Sequence, residues 1–526
     1  MGATSTLRQR VVLATAAILF VLALLCSPAA RAAPPGHYTG TTSDGGAWVA
    51  DLPADWNGTL LLYSHGYGTT EASDAPDPVT RDALLARGYA LAGSGMGAPG
   101  GTLWVLGTAL DDQFETLDQV QRTLLPRRPD HVLAVGTSMG GLISALEAEN
   151  ADGRLDGALS TCGIVGGGVN LSNYQLDGEY AMSELLAPEQ SIKLVDYADA
   201  GEAAAAAAQL QAIGQQAQTT AQGRARLALA MAFLNTTDWD PTAPAPPDPA
   251  DPDAVEAGQY GAEFGFPGFP IIPFTVTGRQ QIELAAGGNS SWTKGVDFAR
   301  ELADSPYLPT VQALYAKAGL DLTADLRTLT RNADITADPA ALQWARRYSE
   351  PTGRIQVPEL TMHTIGDNLV PVTHESQYRD RVTRAGAGDL LRQAYVNRAI
   401  HCNFTPAELV AGVLTLQQRV ETGSWGSLAT PAALNAAAAQ TGLGASAFVD
   451  DTPGAMIGQN LSTWPGWPEP GGHGPGDGHP GSPGHDHDHG PGHGHGGPPP
   501  GWPQRGPGHD GGPHRHGVPG EVGTVR

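Results

Sequence analysis

A serine set between two glycines at the end of an apolar run is the residue of this chain best placed to do chemistry. His131-Val132-Leu133-Ala134-Val135 leads into Gly136-Thr137-Ser138-Met139-Gly140, and Gly141 to Leu146 then reads as the start of a helix. Strand, turn and helix in that order force the serine to the tip of a strained turn. There its oxygen stands clear of the sheet and can attack a carbonyl. Glycine is needed on both sides because a Cβ would clash as strand and helix fold back on each other.

A serine hydroxyl becomes nucleophilic at neutral pH only with a base in hydrogen-bond reach, and the base needs an acid to fix its tautomer. On a doubly wound sheet carrying such a turn, the acid and then the histidine follow at the C-terminal ends of later strands. Leu360 to Thr364 predicts one such strand, and the loop leaving it, Ile365-Gly366-Asp367-Asn368-Leu369-Val370-Pro371, presents Asp367. The alternative for Asp367 is a turn residue capping the next helix; Asp380 and Asp389 are fallback acids but lie in helical or loop sequence. Among the histidines before the C-terminal tail, His37 lies near the N-terminus and His131 precedes its strand. His363 sits inside a strand, and His374 begins a helix. His401 follows the last strand and a short turn, so the expected catalytic set is Ser138, Asp367 and His401. His65-Gly66-Tyr67-Gly68 closes an early strand and can aim a backbone N–H, that of Tyr67 or a neighbour, at a developing oxyanion; the N–H of Met139 is the expected second donor. The same turn also reads as a plain tight connection.

These residues need a scaffold of alternating strands and helices. Ala47–Leu52, Thr59–Ser64, Tyr89–Gly93, His131–Val135 and Gly157–Thr161 are expected strands, with helices over Pro78–Arg87 and Asp111–Leu125. Such alternation predicts a mostly parallel sheet covered on both faces. From about Val165 to Thr352 the pattern breaks. That stretch holds an expected Ala/Gln-rich helix over Glu202–Leu234, a Pro/Asp-rich loop over Asp238–Asp253, and helices near Val296–Leu302 and Thr310–Ala318. An insertion of helices inside an α/β domain is most simply a cap over the site. Phe264 to Phe274, apolar but punctuated by proline, is expected not to be a regular helix; it is either a wall of an acyl or aryl pocket or a loop tucked on the core. Strands resume at Glu359–Thr364 and Gln393–Val396, followed by a helix over Pro406–Glu421. The organisation expected is a leader over 1–32, an α/β core over 33–164 and 356–463, a helical cap over 165–355, and a disordered tail over 464–526.

Composition narrows the setting. Arg8 and Arg10, the apolar run Val11–Leu25 and Ala30-Arg31-Ala32 match a secretory signal peptide. Cys26 follows Leu25, a poor fit to lipoprotein processing, and the Met1-Gly2 start is overridden by the export signal. The expected location is therefore extracellular. A net charge of −24 argues against nucleic acid or an anionic membrane as partner. After cleavage two cysteines remain, Cys162 and Cys402, and an exported chain with two cysteines invites a disulfide, the alternative being two buried thiols. Ten of the sixteen histidines lie beyond Trp464, among glycine, proline and aspartate, a composition that buries no core. His485, His487, His489, His493 and His495 form either a weak chelating tract for Zn²⁺, Ni²⁺ or Cu²⁺ or a solvated tail.

Gly136-Thr137-Ser138-Met139-Gly140, His65-Gly66-Tyr67-Gly68, the Gly366–Pro371 loop and His401 together resemble the α/β-hydrolase superfamily, nearest its secreted bacterial esterases and peptidases with helical caps. The resemblance spans about Ala47–Ser160 and Val357–Glu421. It implies a doubly wound sheet, a serine hydrolase acting through an acyl-enzyme on a small or oligomeric ester, and no cofactor. A finer echo is His401-Cys402: in tannase and feruloyl-esterase-like enzymes a cysteine before the nucleophile bridges one after the histidine. Thr137 stands at that first position here, which leaves Cys162 to reach Cys402 and pin the histidine loop. Competing readings are a secreted peptidase, aminopeptidase, lipase or acyltransferase on the same fold, and a non-catalytic metal-binding protein on an inactive scaffold. A nucleotide enzyme reading Gly95-Met96-Gly97-Ala98-Pro99-Gly100 as a phosphate loop is opposed by Pro99, which blocks the helix that motif requires.

Overall fold

In a computed structural model of the chain, the structure describes residues 33–97, 101–265 and 270–458. The expected leader and the five tail histidines, His485, His487, His489, His493 and His495, lie outside the described residues. Among those described, no helix is long and apolar enough to cross a membrane.

The first part of the chain runs β1 (Gly36–Thr41), β2 (Ala47–Leu52), β3 (Thr59–Ser64), α1 (Pro78–Leu85), β4 (Ala90–Ser94), α2 (Ala109–Thr123), β5 (His131–Thr137), α3 (Met139–Glu149) and β6 (Gly157–Thr161). Helices follow without a strand: α4 (Gly168–Leu186), α5 (Ala200–Ala217), α6 (Ala221–Phe233), α7 (Pro252–Phe264), α8 (Ile271–Ala286), α9 (Phe298–Asp304), α10 (Leu308–Ala318), α11 (Leu322–Asn332) and α12 (Pro339–Tyr348). The chain then returns to the sheet through β7 (Glu359–Gly366), α13 (Thr373–Arg384), β8 (Leu391–Ala399), α14 (Pro406–Thr422), α15 (Pro431–Thr441) and β9 (Phe448–Val449).

The nine strands form one sheet in the order β1-β2-β4-β3-β5-β6-β7-β8-β9. Pairing is parallel from β4 through β8 and antiparallel only at the edges, where β1 meets β2, β2 meets β4, and β9 meets β8. The central strands β3, β4 and β6 are buried along their whole length, as parallel strands covered on both faces must be. One apolar layer, with Leu60, Leu62, Val132 and Ala134, lies on one face, and Leu61, Leu133, Leu159 and Leu360 lie on the other. That alternation is the period of two that splits each strand between two layers. The chain leaves β3 first toward β4 and then back past it to β5. The crevice beyond the C-terminal ends of β3 and β5 is therefore the switch point where ligands bind in open α/β sheets.

The helices α4 to α12 carry their own core, in which Leu210, Phe233, Phe298, Tyr315 and Leu329 are buried. Two expectations need correction here. The single helix over Glu202–Leu234 is two, because Thr220 turns out of the helix and caps α6 through its side chain, accepting from the Gly223 N–H. The stretch Phe264 to Phe274 ends one helix and starts another, with Pro273 third in α8. A first-turn N–H has no acceptor within its helix, so proline costs nothing there. Residues 266–269 of that stretch lie outside the described residues. The edge strand β1 escaped the sequence reading because most of its residues face solvent and show no apolar run.

Candidate active site

The turn between β5 and α3 places Ser138 at φ 60°, ψ −119°, a left-handed backbone that an L-residue holds only under constraint. The constraint is close packing of the strand on the helix. A Cβ on Gly136 would lie 1.8 Å from the Gly140 carbonyl oxygen, and one on Gly140 would lie 1.9 Å from that of Ser64. Only glycine fits at either position, as the spacing predicts.

The other two residues arrive from the ends of β7 and β8. Asp367 follows β7 and is completely buried, while His401 follows β8 and keeps a partly exposed edge. His401 Nδ1 lies 2.7 Å from Asp367 Oδ2, and His401 Nε2 lies 2.9 Å from Ser138 Oγ. The structure thus brings Ser138, His401 and Asp367 into one hydrogen-bonded line across 263 residues of sequence separation between serine and histidine. Asp367 Oδ1 accepts from the backbone N–H groups of Leu369 and Val370, at 3.0 and 2.8 Å. Burial acts to raise the Asp367 pKa, but the imidazoles of His401 and His363 hold it far below the usual carboxylate range. Asp367 does not cap the helix that follows, whose N-cap is Val372 without a side-chain hydrogen bond; one carboxylate oxygen holds the 367–370 turn and the other faces His401.

Cys162, directly after β6, is bridged to Cys402 with Cα atoms 5.3 Å apart. The bridge lies against the histidine, Cys402 Sγ standing 3.2 Å from His401 Nε2. Cys162, Ile400 and Cys402 all have positive φ, so the backbone on both sides of His401 is held in a sparsely populated conformation. Among the described residues, Cys162, His401 and Cys402 are the one grouping of three potential metal ligands. Their sulfurs are bonded to each other and offer no thiolate, so that donor set does not suit a metal.

Gly66 lies against Ser138, a Cβ on it falling 3.3 Å from Ser138 Cβ. Met139 opens α3, where a backbone N–H has no intrahelical acceptor. Of the two residues expected to donate, Met139 directly follows Ser138 and Tyr67 lines the same cavity as Ser138. That cavity of about 250 Å³ is lined by Tyr67, Trp104, Leu171, Phe274, Ile282 and Val370, with Gln175 and Thr275 as its polar groups besides Ser138 and His401. The Tyr67 ring packs edge-on to Phe274 at 5.5 Å and tilted against Trp104 at 6.2 Å. Phe274 thus settles one end of the proline-punctuated stretch as pocket wall. Trp104, Gln175 and Thr275 carried no sequence signal, because their place depends on how α4 and α8 pack over the sheet. Arg279 of α8 does not line the cavity; it is bonded to Glu179 (2.9 Å), the Ser172 carbonyl and Ser291.

A serine on a strained turn after β5, an acid after β7 and a histidine after β8, on a sheet of this strand order, decide the fold. The chain has an α/β-hydrolase fold. No family model matches it. It is 29% identical over 449 residues to an o-phthalyl amidase of Xanthobacter agilis, spanning 81% of this chain and 96% of that one. Solved α/β-hydrolase structures similar to it include feruloyl esterase B from Aspergillus oryzae (TM-score 0.36, 13% identity, 73% of this chain and 80% of that chain). Another is α/β hydrolase domain-containing protein 10 from mouse (TM-score 0.33, 11%, 74% and 100%). A third is the acylaminoacyl peptidase of Pyrococcus horikoshii (TM-score 0.32, 10%), of which 70% of this chain spans 38%.

Proposed function

We propose that the protein is a serine hydrolase that cleaves carboxylic acyl compounds through an acyl-enzyme. The observation that carries the reading is the line Ser138 Oγ–His401–Asp367 at hydrogen-bond distances, opening into an apolar cavity. Ser138 attacks the substrate carbonyl while His401 takes its proton, and Asp367 orients the imidazole and stabilises the imidazolium that forms. The N–H groups of Met139 and Tyr67 receive the oxyanion. His401 then protonates the leaving group and activates the water that frees Ser138.

The lining argues for a neutral, flat, apolar acyl group. Three aromatic rings face the cavity and no cation lines it among the described residues, so a second carboxylate would be desolvated there without a partner. Esters are the first substrates to try. Amides are the second reading, favoured by the amidase name of the 29% identical relative. We further propose that the protein works outside the cell. The Cys162–Cys402 bridge supports this, since disulfides persist in oxidising compartments, and so does the N-terminal run with its cleavage pattern.

The test is fluorophosphonate labelling of the wild type and of Ser138→Ala, followed by hydrolysis of nitrophenyl benzoate and benzoyl nitroanilide. Labelling and turnover should both vanish in the variant. Turnover that survives Ser138→Ala would end the serine reading, and phthaloyl substrates cleaved faster than benzoyl ones would end the neutral-acyl reading. For export, mass spectrometry of protein from culture supernatant should find a mature N-terminus at Ala33.

A further inference from the structure

We propose that His363 is a positioning residue for Asp367, held as a doubly protonated imidazolium between Asp367 and Glu375, so that the line from Ser138 runs on through two more buried groups. The inference rests on the serine-hydrolase reading for its catalytic meaning. Its structural part stands on hydrogen-bond geometry alone.

His363 is fully buried within β7, and both its ring nitrogens face acceptors. Nε2 lies 2.8 Å from the Val370 carbonyl oxygen, which can only accept, so Nε2 carries a hydrogen; the same nitrogen stands 3.4 Å from Asp367 Oδ2. Nδ1 lies 3.2 Å from Glu375 Oε1. Glu375 Oε2 accepts from the Thr361 hydroxyl and the Gln393 amide, so its surroundings are those of a carboxylate. A neutral ring would turn the Nδ1 lone pair onto that carboxylate, which leaves the imidazolium as the form in which every contact is attractive. Burial acts to lower the His363 pKa, and the hydrogen bonds to Asp367 and Glu375 reverse this and raise it.

The neighbouring His374 shows the opposite arrangement. Its Nδ1 accepts from the Gly166 N–H at 3.1 Å, and burial keeps that ring neutral. Other titratable groups facing the trio are His401 through Asp367, Tyr174 of α4, and Tyr395 of β8 on the Glu375 side. Beyond Glu375 lie Glu359 with its partner Tyr378, while Arg381, whose charge reaches His374, is paired with Glu350.

The consequence is a charge balance. Asp367, His363 and Glu375 together carry one net negative charge, the same as a lone acid, while His363 also ties the 367–370 turn to β7 through Val370. Glu375→Gln removes a negative charge and should move the acid limb of the kcat/KM profile down by about one pH unit. His363→Gln removes the positive charge and should move it up by about as much, the size of a unit charge felt across two side chains at an effective dielectric of about 20. The double variant restores the balance and should return the limb to its wild-type place, even where His363→Gln alone folds poorly. A role in packing alone would lower kcat or stability without displacing the limbs in opposite directions.

A second readout needs no activity. In the full chain with ¹⁵N-labelled histidine, NMR at pH 8.5 finds exposed histidines neutral. One ring with both nitrogens protonated should remain and should vanish in His363→Gln. Limbs that stay put or shift together, or no imidazolium at that pH, would overturn the proposal. Turnover surviving Ser138→Ala would instead remove the catalytic reading and leave the NMR result to decide the state of His363.

Discussion

The Cys162–Cys402 bridge makes two predictions that separate its effect on the unfolded chain from its effect on the site. It closes a sequence separation of 240 residues, which in the chain-entropy account of disulfides corresponds to roughly 5 kcal/mol of folding free energy. Against this stands the positive φ of Cys162, Ile400 and Cys402, which relaxation on opening would relieve at about 1 kcal/mol each. Replacing both cysteines by alanine should therefore lower the unfolding free energy by ~2–4 kcal/mol, read from urea unfolding with m fitted for each protein, since opening the loop expands the unfolded chain. The bridge also lies 3.2 Å from His401 Nε2 and anchors the turn that carries the histidine. Its loss lets the ring drift from Ser138, and misplacement of a catalytic group by about 1 Å costs on the order of 100-fold. The second expectation is a fall of 10- to 100-fold in kcat with a smaller change in KM, since Cys402 lines the cavity but its apolar walls Tyr67, Trp104, Leu171, Phe274 and Ile282 belong to other elements. Thiol titration confirms which state is assayed. A fully reduced, folded protein with wild-type kcat would refute the positioning argument, and a midpoint unmoved by the double replacement would refute the loop-closure argument.

Asp367→Asn should lower kcat by roughly 10³–10⁴-fold while the protein stays folded, because an amide in place of the acid favours the wrong tautomer of His401; a loss under tenfold, measured at pH 8, would remove Asp367 from the line. Gly140→Ala would set a Cβ 1.9 Å from the Ser64 carbonyl oxygen and should destabilise by at least ~2 kcal/mol in urea unfolding; a neutral result would mean the elbow is not packed as described. The pKa of His363, lowered by burial but raised overall by Asp367 and Glu375 to about 10, lies above its unfolded value of about 6.5. Its contribution to stability is thus fully present below pH ~6.5 and is lost as pH rises through about 10. Thermal unfolding should fall more steeply between pH 7 and 10 in the wild type than in the His363→Gln, Glu375→Gln double variant, and parallel curves would contradict the buried imidazolium.

Local signals in the sequence reached as far as the sheet and the three residues at its edge. The strands β3 and β5 were legible because parallel strands buried on both faces carry continuous apolar runs, and β7 because its Gly366 exit marks the strand end. The elbow was legible because its glycines are compelled by clashes of under 2 Å, which no other residue type satisfies. The helical insertion was legible only in outline. Its helix ends depend on caps such as Thr220 and on a proline in a first turn, and both kinds of residue also break helices. The pocket walls Trp104, Gln175 and Thr275 were not legible at all. They come from a loop and two helices, α4 and α8, whose approach is set by packing between segments more than 70 residues apart.

His363 marks where the sequence carried a signal that strand placement alone discounts. A histidine inside a strand is a poor candidate for a base, since it points across the sheet and not out of its end. The alternation of β7 nonetheless puts Thr361 and His363 on one face, two residues apart, while Leu360 and Met362 fill the apolar layer on the other. Two polar side chains in succession on a buried face must find partners there, because a buried polar group without one costs about 1–3 kcal/mol. The partner is Glu375, third residue of the helix that follows, and Thr361 and His363 both bond to it. A polar pair at i and i+2 in an otherwise apolar strand, followed within a dozen or so residues by a carboxylate near a helix start, is therefore a pattern with a physical requirement behind it. Here that requirement ends at Asp367, because the same loop that carries it also supplies Val370, the carbonyl that fixes the His363 ring.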